Sequence, residues 1–308
     1  MSRASSFKTR FTRIFYSPRE RRLRAGWRIL LQLVLSLVLL VVVGRVMSPL
    51  LSLLKLPKDI KSLSFYTLWV FTVTLSVFFA RRYLDRRTFV SLGLHWNRQA
   101  ISDLLFGFGL AGFLMGLIYT LEWAVGWLKF EGFAWQQFPL STVIFQLFLG
   151  LLTFGVTVAW LEELSDRGYL LQNLKDGLNL PWALFLSSAI FGLRHLGNPN
   201  ASWISTLGIF LAGIFLAYGW VRTQQLWISI GLHAGWNFFE GIVFGFPISG
   251  VESFRLIKQT VSGPEWITGG AFGPEAGLVV ILAIVVGTML IHWWSRGRLN
   301  SHSASRQP

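Results

Sequence analysis

The chain has 308 residues, 53% of them hydrophobic, with a mean hydropathy of +0.53 and a formal net charge of +14. Its length would suit about two soluble domains, but apolar runs recur along the whole chain, many near the ~20 residues that a bilayer-spanning helix needs. Composition therefore excludes a soluble two-domain protein, and the absence of cysteine excludes disulfides and thiolate chemistry.

In chain order, residues 1–26 form a basic, Ser-rich tail, expected to be disordered or to lie on the membrane surface. The first apolar run is long and is not followed by a small-residue cleavage site, so it reads as a span rather than a cleaved signal peptide. The apolar spans are 27–47, 62–80, 101–122, 140–161, 181–196, 203–221, 226–246 and 277–294. A polar linker, "RRYLDRRTFVSLGLHWNRQA", occupies 81–100, and a Gly-, Ser- and Pro-rich loop occupies 248–276. Nothing alternates like a barrel strand, so the expected fold is all-α, a polytopic transmembrane helix bundle of about eight spans with both termini cytosolic. The expected division is a basic tail at 1–26, leading helices and linker at 27–138, a helical core carrying the chemistry at 139–294, and a second tail at 295–308.

The location of the charge explains its excess. With the N-terminus cytosolic, the cytosolic segments hold 19 lysines and arginines and the opposite loops 6, while Arg45, Arg167 and Arg194 fall at membrane depth. That asymmetry is the positive-inside pattern, so the basicity implies a lipid bilayer as partner and no nucleic acid. The chain reads as a multi-pass membrane protein, and with no organellar targeting segment a bacterial inner membrane is the simplest location. No internal repeat is visible, which weakens a reading as an inverted-repeat transporter.

The stretch "AWLEELSDRGYLLQNL", Ala159 to Leu174, gathers Glu162, Glu163, Asp166 and Arg167 behind a long apolar run. If that helix continues to Leu174, Glu162 lies 12 residues from its cytosolic end, about 18 Å into the membrane at ~1.5 Å per residue. His195 lies 14 residues after Pro181 and His233 lies 11 after Arg222, about 21 and 16 Å by the same rise. Three helices thus deliver polar groups to one level, where carboxylates are costly and by default mark function.

Helical geometry then assigns directions. Glu162 and Glu163 point about 100° apart. Glu163 and Arg167, spaced i,i+4, form a ready ion pair, which leaves Glu162 free to face the site. His233, Asn237 and Glu240 share a helix face at i, i+4 and i+7. Asp166 lies i+4 from Glu162. It either shares that face as a coupled carboxylate or turns aside to Arg167, Arg194 or water.

At these residues the chain resembles the CPBP intramembrane protease family, which includes the type II CAAX prenyl endopeptidases and the Abi proteins. EExxxR is "EELSDR" at Glu162–Arg167, FxxxH is "FGLRH" at Phe191–His195 and HxxxN is "HAGWN" at His233–Asn237. "HLGNPN" and "GPEWITGGAFGPEAG" look like a bacterial branch of the family. Asp166 departs from the pattern, since many members have an aromatic residue before the arginine.

The resemblance implies an intramembrane endopeptidase acting on membrane-associated proteins or peptides. Glu162, Glu163, His195, His233 and Asn237 would form its catalytic group, with Arg167, Asp166 and Glu240 as structural or tuning residues. Glu162 and His195 would hold and deprotonate a water, and His233 and Asn237 would stabilise the oxyanion. A divalent metal such as zinc, held by Glu162, His195 and His233, and a metal-free glutamate mechanism use the same residues, and their spacing does not separate the two. A non-catalytic scaffold or self-immunity protein and a proton-coupled transporter are the alternatives.

Overall fold

A computed structural model describes residues 14–296 except Arg19. Its long elements are α1 (Ala25–Leu53), α2 (Lys58–Phe79), α3 (Arg98–Ala124), α4 (Leu140–Gly177), α5 (Leu180–Arg194), α6 (Trp203–Thr223), α7 (Trp227–Asn237) and α8 (Val279–Trp294). Helices thus stand at each of the eight expected spans. Five of them, those containing α1, α2, α3, α4 and α6, are long and apolar enough to cross a membrane. A π-helical turn at Phe238–Val243 prolongs α7, and two others, Leu151–Val158 and Glu163–Leu170, interrupt α4. The whole is a helical membrane bundle.

Side-chain caps fix several helix starts. Asn97 accepts from the Ala100 amide ahead of α3, and Asn179 accepts from the Trp182 amide ahead of α5, where Pro181 fits the first turn. Ser202 and Ser205 form a reciprocal cap on α6. On α1, Leu33, Leu37, Val41 and Val46 are all more than half exposed, a continuous apolar face that only a lipid environment makes inexpensive.

Among the described helices the most extensive contact is α3 against α7. Gly107 and Gly231 allow the contact, because a Cβ at Gly231 would run into the Leu104 carbonyl oxygen and one at Gly107 into that of Ile228. Small residues of this kind let membrane helices approach backbone to backbone. Leu110, Leu114 and Ile118 of α3 share a core with Phe215 of α6 and Leu232 of α7. The third leading helix and the motif-bearing helices α5 and α7 are therefore packed around common side chains.

Segments expected on one side of the membrane meet each other. Arg28 of α1 donates to Asp85 at 2.7 Å, Arg81 reaches the same carboxylate at 2.9 Å, and Arg22 reaches Asp176 at 2.9 Å. The stretch of the N-terminal tail nearest α1 is thus folded, with Tyr16–Ser17 (β1) paired antiparallel to Arg22–Leu23 (β2). Residues 1–13 of that tail, and 297–308, lie outside the described residues. Between the loops expected on the opposite side, Leu128–Phe133 (β3) pairs antiparallel with Ile257–Val261 (β4). This short sheet was not expected from the sequence. Its strands are five or six residues long and too irregular to stand out among apolar helices.

Candidate active site

The charged stretch of α4 is divided by the winding of the helix. Glu163 faces inward and is fully buried. Its Oε1 accepts from Arg167 Nη1 at 2.9 Å and lies 2.7 Å from His233 Nδ1. The i,i+4 pair expected from spacing is present, and the same oxygen also anchors a histidine from α7. Arg167 is further held by the Gly213 carbonyl at 3.2 Å and lies 4.2 Å from the centre of the Phe191 ring.

Glu162 points the other way, into a cavity of about 210 Å³. His195, His233 and Asn237 line the same cavity, with Phe191 beneath them. His195 stands just past the end of α5, and its Nδ1 lies 2.7 Å from the Phe191 carbonyl. That contact requires the proton on Nδ1 and leaves Nε2 as an acceptor. His233 Nε2 is 3.6 Å from Glu162 Oε2, too long for a direct hydrogen bond and suited to a shared water. Asn237 Nδ2 donates to the Phe154 carbonyl at 3.0 Å, and its second N–H remains for another acceptor.

A larger groove, about 690 Å³, opens from Glu162 and His195 on the side of α1. Leu33 and Leu37 of α1, Val73 of α2 and Ile190 of α5 line it, and Glu162 and His195 stand where it meets the inner cavity. Asp166 and Arg194 belong to this groove and not to the inner cavity. Asp166 turns aside to Arg194 Nη2 at 2.5 Å. Of the two arrangements open to it from the sequence, this is the ion pair. Glu240, on the π-helical turn after α7, is fully buried outside the cavity lining, and neither oxygen finds a donor among the described residues. The wider turn after Asn237 breaks the 3.6-residue repeat that would put Glu240 in line with His233.

Residues 143–239 match the family model described as Type II CAAX prenyl endopeptidase Rce1-like. No curated protein matches the chain at a significant level. The Rce1-like stretch runs from within α4 to the π-turn after α7 and contains all three motifs. Around it, this chain forms a multi-pass helical membrane protein.

The metal expectation meets a geometric test at this site. A histidine bonded through Nδ1 to a carboxylate or a carbonyl is the usual outer shell of a metal ligand, and His233 and His195 both have it. Among the described residues, however, no set of three His, Cys, Asp or Glu side chains stands close enough to hold a metal ion. The residues as placed do not form a ligand set.

Two polar residues of the stretch after α7 join the motif residues around the cavity. Glu275, on a turn at Pro274–Ala276, and Ser249, from the loop after α7, both line the inner cavity. Burial pushes the Glu275 carboxyl up, while Ser249, the two histidines and Trp236 pull it the other way. The sequence signal for Glu275 was the Gly- and Pro-rich run "GPEWITGGAFGPEAG", which indicates a structured loop but gives no direction for one side chain. Phe191 had a motif position but no role; its ring also lies against His195, with centres 4.7 Å apart.

Proposed function

We propose that the protein is an intramembrane endopeptidase in which Glu162 activates a water for attack on a peptide bond. The observation that carries this reading is the convergence of Glu162, His195, His233 and Asn237 from α4, the end of α5, and α7 on one cavity, within the Rce1-like stretch. A water bridging Glu162 and His233 or His195 has an acceptor carboxylate for its proton and an imidazole to orient it. As it adds to the carbonyl, the spare N–H of Asn237 donates to the developing oxyanion. His233 Nε2 does the same when the ring carries a second proton. Collapse of the tetrahedral intermediate returns the proton from Glu162 to the leaving amine. Arg167 and Glu163 act through His233 and hold its ring in place. No step is assigned to a metal. A membrane-associated protein or peptide substrate enters along the groove beside α1, whose apolar lining matches a segment arriving from the bilayer.

The test is cleavage of a panel of membrane proteins and apolar peptides by the purified protein in lipid nanodiscs. The wild type cleaves at least one, and Glu162→Gln, His195→Ala and His233→Ala do not, although each inserts and elutes like the wild type. Equal cleavage by Glu162→Gln would remove the proposed general base and with it this mechanism.

A further inference from the structure

The loop after α7 contributes a carboxylate that none of the three motifs supplies. Glu275 is 5% exposed and borders the cavity that holds Glu162, His195 and His233. Its seat is built from three sides. Its carbonyl oxygen packs so closely on α6 that a Cβ at Gly208 would strike it. Trp236 Nε1 donates to Oε1 at 3.1 Å, and the Ser249 hydroxyl donates to Oε2. Ser249 is in turn fixed by Asn198, whose Nδ2 donates to the Ser249 carbonyl at 2.9 Å.

Each carboxylate oxygen thus has one neutral donor, which uses about half of the roughly four acceptor positions that a carboxylate offers. The arginines near the site are committed elsewhere, Arg167 to Glu163 and Arg194 to Asp166. Close enough to interact with Glu275 is Glu240, a second buried carboxyl with no donor among the described residues. Among the described residues, no lysine or arginine lines this cavity. A buried carboxylate in that position gains more from an incoming ammonium or guanidinium group than from any neutral one.

We propose that Glu275 is a specificity-determining residue that receives a basic side chain of the substrate, a lysine or arginine next to the scissile bond, in a charged hydrogen bond. The proposal rests on the endopeptidase reading, because it takes the cavity as the place where the peptide lies. An acidic side chain in a substrate pocket selects a basic residue in just this way in other peptidases. An apolar side chain of the same length makes no charged hydrogen bond with Glu275, and an acidic one meets its carboxyl.

The experiment uses the full-length Glu162→Gln protein in nanodiscs, so that bound peptide is not cut and Glu162 itself cannot supply the attraction. Fluorescent apolar peptides carry either lysine or norleucine at each of the positions flanking the central bond, and binding is read by anisotropy. At one position the lysine peptide should bind roughly tenfold to a hundredfold more tightly, the range for a hydrogen bond to a charged group. Adding Glu275→Gln should abolish that preference. Adding Ser249→Ala, which removes a neutral donor and keeps the carboxylate, should retain it, as should the charge-retaining Glu275→Asp. Equal binding of lysine and norleucine peptides at every position would overturn the proposal, whatever the variants do. A lysine preference that survives Glu275→Gln would also overturn it and leave Glu275 as a loop latch. Cleavage by the wild type is scored separately. Selective binding without cleavage would remove the endopeptidase reading and keep the subsite, whereas cleavage without selectivity would remove only the subsite.

Discussion

One oxygen of Glu163 performs two tasks, and Glu163→Gln separates them. Oε1 accepts from Arg167 Nη1 at 2.9 Å and lies 2.7 Å from His233 Nδ1, with all three side chains buried. Glutamine keeps the shape and one acceptor oxygen but removes the charge. Arg167, its side chain 3% exposed, becomes a guanidinium without a counter-charge. Breaking a buried pair in this way costs about 3–5 kcal/mol, a large part of the ~5–15 kcal/mol by which a typical domain is stable. The new amide nitrogen replaces Oε2, which has no partner among the described residues, so it adds an orphaned donor at about 1–3 kcal/mol. Adding Arg167→Met removes the stranded charge and should recover most of the loss. Recovery stays incomplete because the bond to the Gly213 carbonyl and the contact with Phe191 go as well. Activity should not recover in the double variant, because His233 still lacks its anionic anchor. Unfolding in nanodiscs and peptide cleavage, measured on wild type, single and double variants, supply the two readouts. A single variant as stable as wild type, or a double variant no more stable than the single, would refute the claim that Arg167 and Glu163 form a desolvated pair.

Three further outcomes are expected. Gly231→Ala should lower both stability and cleavage without touching a catalytic group, since the new methyl pushes α7, and with it His233 and Asn237, off the Leu104 carbonyl on α3. Overpacking of this kind costs about 1–3 kcal/mol, and an unaltered unfolding temperature would contradict the close packing. Asp166→Asn should leave the acidic limb of the pH–activity profile in place, because Asp166 borders the outer groove and pairs with an arginine whose side chain is 45% exposed and can turn to water; a displaced limb would put Asp166 back beside Glu162. Reporter fusions after Trp96 and Gly263 should report opposite sides of the membrane, cytosolic and extracytosolic. Reports from the same side would dissolve the shared depth of the three polar helices.

Much of the site was legible because its geometry is short-range. Glu163 and Arg167 are four residues apart on one helix, and helical rise alone brings them together. The opposed directions of Glu162 and Glu163 follow from the same screw. The common depth of Glu162, His195 and His233 could be counted from the ends of their apolar runs. Asp166 was half legible. Its spacing allowed two partners, and the choice depended on where the end of α5 places Arg194, a contact 28 residues away in the chain. Glu240 was misaligned in prospect because a π-turn follows Asn237, and no residue in "FFEGIV" announces one.

What the sequence by itself determined is the membrane bundle, its helices and the three motif-bearing segments, because hydropathy and helical repeat are properties of consecutive residues. What only the tertiary structure decided is which atoms share the cavity: Glu163 on the Nδ1 of His233, Asp166 on Arg194 outside, and Glu275 inside. Those outcomes depend on contacts between residues far apart in the chain. Helix direction, glycine-limited approach and the path of a returning loop set them together, and no local pattern encodes that sum.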